Sequence, residues 1–232
     1  MRIHNHMAIL RNLRNVEQIG VSREHINKIK RALTSSEWTK GAGQILPFRY
    51  VSAARAAPSF EPELDQALIN SLAEMPKLSG RTAVLVDVSG SMNARLSAKS
   101  DLTRMDAAAA LAAMFPARRQ DLSIYTFSYK TVMVPTRMGM AGVDAINASQ
   151  IHGGTMLGQA VEEMGRLNLD RLVVITDEQS HTAVKSPGVP KAYMVNVASY
   201  QNGVGYDNGW THIDGFSEHI FDFIREMESI DG

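Results

Sequence analysis

Five oxygen-bearing side chains stand where apolar runs break off: Asp87, Ser89 and Ser91 in TAVLVDVSGSM, Thr155 in IHGGTML, and Asp177 in LVVITDEQS. Donor sets built only from oxygen select a hard cation, Mg²⁺, Mn²⁺ or Ca²⁺, over zinc or copper. Two carboxylates with three hydroxyls leave such an ion short of negative charge. It would keep exchangeable waters and accept a carboxylate from another molecule. Gly90, Gly153 and Gly154 let the backbone turn tightly around it. Taken singly, each residue has a plainer explanation, because Asp or Ser after a strand commonly caps a helix and Thr155 suits an N-cap. The conjunction of D-x-S-x-S, G-G-T and T-D is what points to a metal.

The elements that must position these residues are legible from Arg81 onward. RTAVLVDV, LSIYTFS, RLVVITD and KAYMVNVA are short and rich in β-branched residues. Helix-like stretches lie between and after them: MDAAAALAAMF, MAGVDAINA, TMLGQAVEEMGRL and SEHIFDFIREME. This alternation predicts an α/β fold, a doubly wound and mainly parallel sheet with helices on both faces. TVMVP follows LSIYTFS so closely that it pairs as an antiparallel edge strand. In such sheets ligands bind beyond the carboxyl ends of the strands, at a topological switch point, and the five residues gather there.

Residues 1–76 read differently. Ile9, Leu10, Leu13 and Val16 recur at helical spacing before Gly20, and Ser22 can cap a second helix carrying Ile26, Ile29 and Leu33. FRYVSAARAA behind Pro47 predicts a third helix. A fourth opens near Pro62, with Leu64, Leu68 and Leu72 on one face. Four short helices suggest two hairpins closing a helical-repeat array. PKLSG (76–80) marks the boundary, giving a helical stub at 1–76 and a second domain at 80–232.

Composition excludes several functions. There is no cysteine, hence no disulfide, thiolate metal site or cysteine nucleophile. No apolar run approaches the roughly 20 residues of a membrane span. MRIHNHMAIL lacks the apolar core of a secretory leader, so the expected setting is cytoplasmic and without a membrane. Net charge is zero, yet residues 1–60 carry ten Lys/Arg against three Asp/Glu, a balance of +7 that the remainder reverses. That basic segment offers a surface to polyanions, or simply helps the two halves dock. An aspartyl nucleophile at Asp87 would need a second acid two residues on, where Ser89 stands, and no serine sits in a G-x-S-x-G elbow. The expectation is a binding module, not an enzyme.

Weaker signals remain. His4 and His6 could chelate a metal on a strand, and His152 and His181 could line the rim. HGGTMLG lacks the lysine of a phosphate-binding loop. Arg11, Arg14, Lys28, Lys30 and Arg31 could meet phosphates or form solvated helix faces.

DVSGS with Thr155 and Asp177 resembles the metal-ion-dependent adhesion site of a von Willebrand factor A domain. More narrowly, the chain resembles the C-terminal part of Ro autoantigen (TROVE-module) proteins. ILPFRYVSAARAA, VLVDVSGSM, IHGGTMLGQA, VVITDEQS and GWTHIDGFSEHIFDFI carry that resemblance. It implies an A domain behind the last helices of a ring-shaped helical-repeat module. It also implies one Mg²⁺ or Mn²⁺ at Asp87, Ser89, Ser91, Thr155 and Asp177, with an acidic protein ligand at the metal. Association with small noncoding or misfolded RNA in a ribonucleoprotein follows too. Because the resemblance starts partway through the ring, a second chain carrying the rest is an expected partner. The competing expectation is a free-standing A domain for protein–protein adhesion, with no RNA role.

Overall fold

Caps and apolar spacing settle the first elements. The computed structural model describes residues 3–35, 45, 47–73, 75–97, 102–116, 119–180, 183–198, 209–215 and 219–230. Helix α1 (Ile3–Ile19) stops at Gly20, whose φ of +72° glycine adopts without steric cost. Ser22 caps α2 (Arg23–Leu33), its hydroxyl oxygen accepting from the His25 amide at 3.4 Å. Proline opens α3 (Pro47–Ala56), and α4 (Glu61–Ala73) buries Leu64, Leu68 and Leu72. The chain forms two compact units, Met1–Pro76 and Lys77–Gly232, and these helices belong to the first.

Within that unit α1 packs against α3, α2 against α4, and α3 against α4. The expected hairpin of α1 with α2 therefore gives way to pairing across the sequence. Lys30 on α2 reaches Glu63 on α4 at 3.0 Å and donates to the Ser59 carbonyl at 2.8 Å. Glu17 on α1 accepts from the Ser59 amide at 3.3 Å. His4 and His6 lie on α1, a helix rather than a strand, and His6 is buried.

The second unit is a six-stranded sheet. Its strands are β1 (Thr82–Asp87), β2 (Leu122–Phe127), β3 (Thr131–Val134), β4 (Arg171–Thr176), β5 (Lys191–Asn196) and β6 (Thr211–Asp214). Their order is β3-β2-β1-β4-β5-β6, parallel throughout except for β3, which pairs antiparallel with β2. This is the mainly parallel, doubly wound architecture with an antiparallel edge strand that the alternation predicts. The short edge strand β6 is an addition to it. β1 is central and buried at all six positions, as a continuous apolar run requires.

Side-chain alternation divides the core between two faces. Ala83, Leu85, Leu172, Val174, Ala192 and Met194 meet α7 (Leu157–Gly165) through Leu157, Val161 and Met164. On the other face Tyr193 reaches Glu228 of α8 (Ile220–Ile230) with its hydroxyl, at 3.2 Å. Phe115, just beyond α5 (Arg104–Ala113), meets Phe221 edge-on with centroids 5.5 Å apart. α6 (Gly139–Asn147) packs on α5, and Gly142 fits there without a side chain: a Cβ would sit 2.9 Å from Ala113 Cβ on α5 and 2.3 Å from the Arg137 carbonyl oxygen. No helix among the described residues is long and apolar enough to cross a membrane.

The amino ends of the strands are fastened by charge. Arg171, 1% exposed, donates to both carboxylate oxygens of Glu228, to Thr82 Oγ1 at 2.7 Å and to the Ser79 carbonyl at 3.1 Å. Lys191 adds a contact to Glu228 at 3.0 Å. Partial burial opposes ionisation of Glu228, but Arg171 and Lys191 outweigh it and hold its carboxyl below the usual range. A depressed pKa contributes stability at neutral pH that is lost as pH falls through the folded-state value. Arg171→Ala should cost about 1.5–3 kcal/mol in denaturant unfolding, because it removes charge-assisted bonds to a partly buried carboxylate. It should also flatten the acid limb of the stability profile below the ordinary Glu value of 4.5. An unchanged midpoint and acid limb would show that Lys191 and Tyr193 suffice.

Candidate metal centre

The sheet order reverses beside β1, and Asp87 is the last residue of that strand. Asp87 follows the same alternation as Ala83 and Leu85, so it rises on the α7 face. Both of its oxygens are engaged: Oδ1 accepts from the Ser89 amide at 2.8 Å and Oδ2 from Thr176 Oγ1 at 2.7 Å. Thr176 ends β4, so this second bond spans the switch point. Asp87 is fully buried, and burial raises its pKa from 3.8 to about 7. The bonds from Ser89 and Thr176 oppose that rise, while the nearby charge of Asp177 adds to it.

Three of the other four predicted residues are tied to Asp87 directly or through one step. Ser89 is buried, and its Oγ lies 3.2 Å from Ser91 Oγ. Asp177 is buried immediately after Thr176. Thr155 is 4% exposed in the loop that opens α7. That loop is stitched to the serine loop by the Gly90 amide, which donates to the Gly153 carbonyl at 2.9 Å.

Several residues that the sequence reading passed over hold this rim. Ser128, behind β2, accepts from the Gly153 amide at 2.8 Å and donates to the Gly154 carbonyl at 3.1 Å. The Tyr129 ring covers Gly153 so closely that a Cβ there would sit 1.8 Å from Cε2. Arg104 donates to Asp177 Oδ2 at 3.0 Å. A capping box fixes its helix: Thr103 Oγ1 accepts from the Asp106 amide at 3.1 Å, and Asp106 Oδ2 from the Thr103 amide at 2.9 Å. T-R-M-D was the available sequence signal. Glu178 takes a left-handed φ of 58°, a strained choice for a non-glycine residue, and its carboxylate meets His212 of β6 at 3.3 Å. β6 thus reaches the turn that presents Asp177.

Hard oxygen donors dominate, and the Ser89–Ser91 spacing suits adjacent corners of an octahedron with oxygens about 2.1 Å from Mg²⁺, whose edge is about 3 Å. A buried carboxylate pushed up to about 7 is also a group that a cation would stabilise in its charged form. These residues fit a small divalent ion. Among the described residues no three His, Cys, Asp or Glu side chains gather at ligand spacing, so for an ion held here hydroxyls would have to supply much of the protein's share. His152 is not part of the rim: it is exposed and its Nε2 meets the Asn147 carbonyl at 2.8 Å. His181 lies outside the described residues.

No protein-family model matches the chain, and no curated protein matches it in sequence. Solved structures do. The Ro (RSR) protein of Deinococcus radiodurans superposes with a TM-score of 0.69 at 20% identity, over 94% of this chain and 52% of that one. In fold, the chain is similar to a Ro protein. It spans about half the length of that relative. An aerotolerance-related membrane protein of Bacteroides fragilis, carrying multiple mutations to serine, matches at 17% identity over 64% of this chain and 87% of that one. Its TM-score of 0.36 is too low to argue from.

The raised pKa of Asp87 fixes the sign of a pH effect. Without a divalent ion, its stabilising contribution is full below the ordinary value of 3.8 and is lost as pH rises through about 7. Asp87→Asn should abolish that part of the decline in denaturant melts run in chelator between pH 5 and 8. Parallel profiles for the two proteins would mean that Asp87 stays ionised throughout.

Proposed function

We propose that the second unit is a binding module that holds one Mg²⁺ or Mn²⁺ and offers it to a carboxylate of a protein partner. The observation that carries this is the junction at the switch point, where Thr176 bonds Asp87 at 2.7 Å and sets Asp177 beside it. Asp87 and Asp177 would supply the carboxylates, directly or through water, and Ser89, Ser91 and Thr155 the hydroxyls. When bound, the ion supplies an electrophilic position that these few charged groups leave unsaturated. The likeness in fold to a Ro protein supports the wider setting, a ribonucleoprotein associated with small noncoding or misfolded RNA. A second chain bearing further helical repeats fits that setting. The module is proposed as non-catalytic, since Ser89 stands where an aspartyl phosphotransferase needs its second acid.

Calorimetry with Mn²⁺ on the wild type and on Asp87→Ala tests the metal, and equal affinities would remove it. A peptide ligand should lose binding when its key Glu becomes Gln, and in chelator; indifference to both would place the interface elsewhere. RNA recovered with the full chain at low salt supports the ribonucleoprotein setting, whereas none favours a module for protein ligands alone.

Arg104 gives a further expectation. Its guanidinium meets Asp177 at 3.0 Å and would add positive charge beside an ion held there. Arg104→Gln should therefore tighten Mn²⁺ several-fold by calorimetry, through removal of like-charge repulsion. Weaker binding in this variant would show that Arg104 instead keeps Asp177 in position.

A further inference from the structure

The loop that presents Thr155 also carries an apolar side chain that the fold barely covers. Ile151 is 83% exposed, the most exposed large apolar residue among the described residues. Its neighbours are nevertheless pinned. Gln150 donates to Thr126 Oγ1 at 3.0 Å, the Ser149 and Thr126 hydroxyls lie 2.8 Å apart, and the Gly153 amide donates to Ser128 Oγ at 2.8 Å. An apolar tip on a loop fixed at both ends is ordered in advance, so a ligand that covers it has little ordering left to impose.

Tyr129 reaches the same loop from the turn between β2 and β3. It is 62% exposed, and its ring lies against Gly153. The Gly153 carbonyl in turn accepts from the Gly90 amide at 2.9 Å, and Gly90 stands between Ser89 and Ser91. The ring is therefore one residue's backbone away from the serine turn. Ile151 is two residues from Gly153, a reach of at most about 7 Å along the chain. Lys130, next to Tyr129, is exposed as well.

Single apolar residues on a surface are ordinary, but these two border the loops that would hold the ion. A carboxylate by itself is a common surface group and discriminates poorly among partners. An aromatic and an aliphatic side chain beside the ion add contacts of the kind that dominate binding energy, and Lys130 favours an acidic segment. An extended segment returns to the same face every second residue, a step of about 7 Å. That step matches the reach from Gly153 to Ile151.

We propose that Tyr129 and Ile151 form a shelf that receives a large apolar side chain two residues from the partner's carboxylate. The partner is then an extended acidic segment in which Glu or Asp is separated by one residue from Phe, Leu or a similar side chain. The proposal rests on the metal centre as the receiver of that carboxylate.

The test is fluorescence anisotropy of the full chain in Mn²⁺ with two labelled synthetic peptides. One has glutamate with phenylalanine two residues away on each side, and the other has serine at both of those positions. The phenylalanine peptide should bind about tenfold more tightly, the scale of burying one large apolar side chain. Ile151→Ser and Tyr129→Ser should each remove most of that preference, and Ile151→Leu should retain it. Leu167→Ser, a like change at a 39% exposed residue beyond the other end of α7, should also retain it. Calorimetry with Mn²⁺ on each protein reports separately on the ion. If the wild type takes up Mn²⁺ but binds the two peptides equally or not at all, the shelf is overturned and the metal centre stands. An equal loss in Leu167→Ser, or a preference that persists in chelator, would overturn the shelf too. No Mn²⁺ uptake by the wild type would remove the centre and the shelf with it.

Discussion

A carboxylate closed off from water at the end of the central strand is the constraint on which the rest of the second unit turns. An ionised group there is tolerable only with donors fixed around it, and the fold supplies them from two strands. The amide of Ser89 comes from the turn after β1 and the hydroxyl of Thr176 from β4. That demand fixes the register of β1 against β4, and with it the position of Asp177. It also explains why the turn after Asp177 bears a strained residue: Glu178 is buried and meets His212, so an edge strand of only four residues is tied to the centre of the sheet.

The two ends of the sheet treat charge in opposite ways. At the amino ends Arg171 is matched by Glu228, Lys191 and neutral acceptors, and the cluster is electrostatically closed. At the carboxyl ends Arg104 meets Asp177 and His212 meets Glu178, while among the described residues Asp87 at the switch point is held by hydrogen bonds from Ser89 and Thr176. A closed cluster holds a fold together, whereas an open one retains capacity for a ligand.

Much of this was legible beforehand because burial writes strong patterns. The β1 run is apolar since the strand is buried on both faces, and the breaks at Gly20 and Pro47 follow from backbone chemistry alone. The candidate site was legible for the same reason, since Asp87 and Asp177 interrupt runs that packing would otherwise keep apolar. What stayed hidden depends on partners distant in sequence. Thr211–Asp214 is short, half exposed and mixed in polarity, so periodicity could not mark it as a strand. Nothing beside Arg104 or Ser128 in the sequence marks them as rim residues; the sheet order places them there. The layering of α1 on α3 was equally invisible, since each helix shows only its own apolar stripe.

The hydrogen bond between Thr176 and Asp87 joins residues 89 positions apart, and β1 pairs with β4 across the same interval. Closing so long a loop is entropically costly, and contacts of this span form late compared with the local β2–β3 hairpin. A chain emerging from the ribosome, or one trapped part-folded, therefore has Asp87 and Ser89 but not the other half of the rim. A partner of the kind proposed for this edge would therefore meet both halves of the rim only once β1 and β4 have paired.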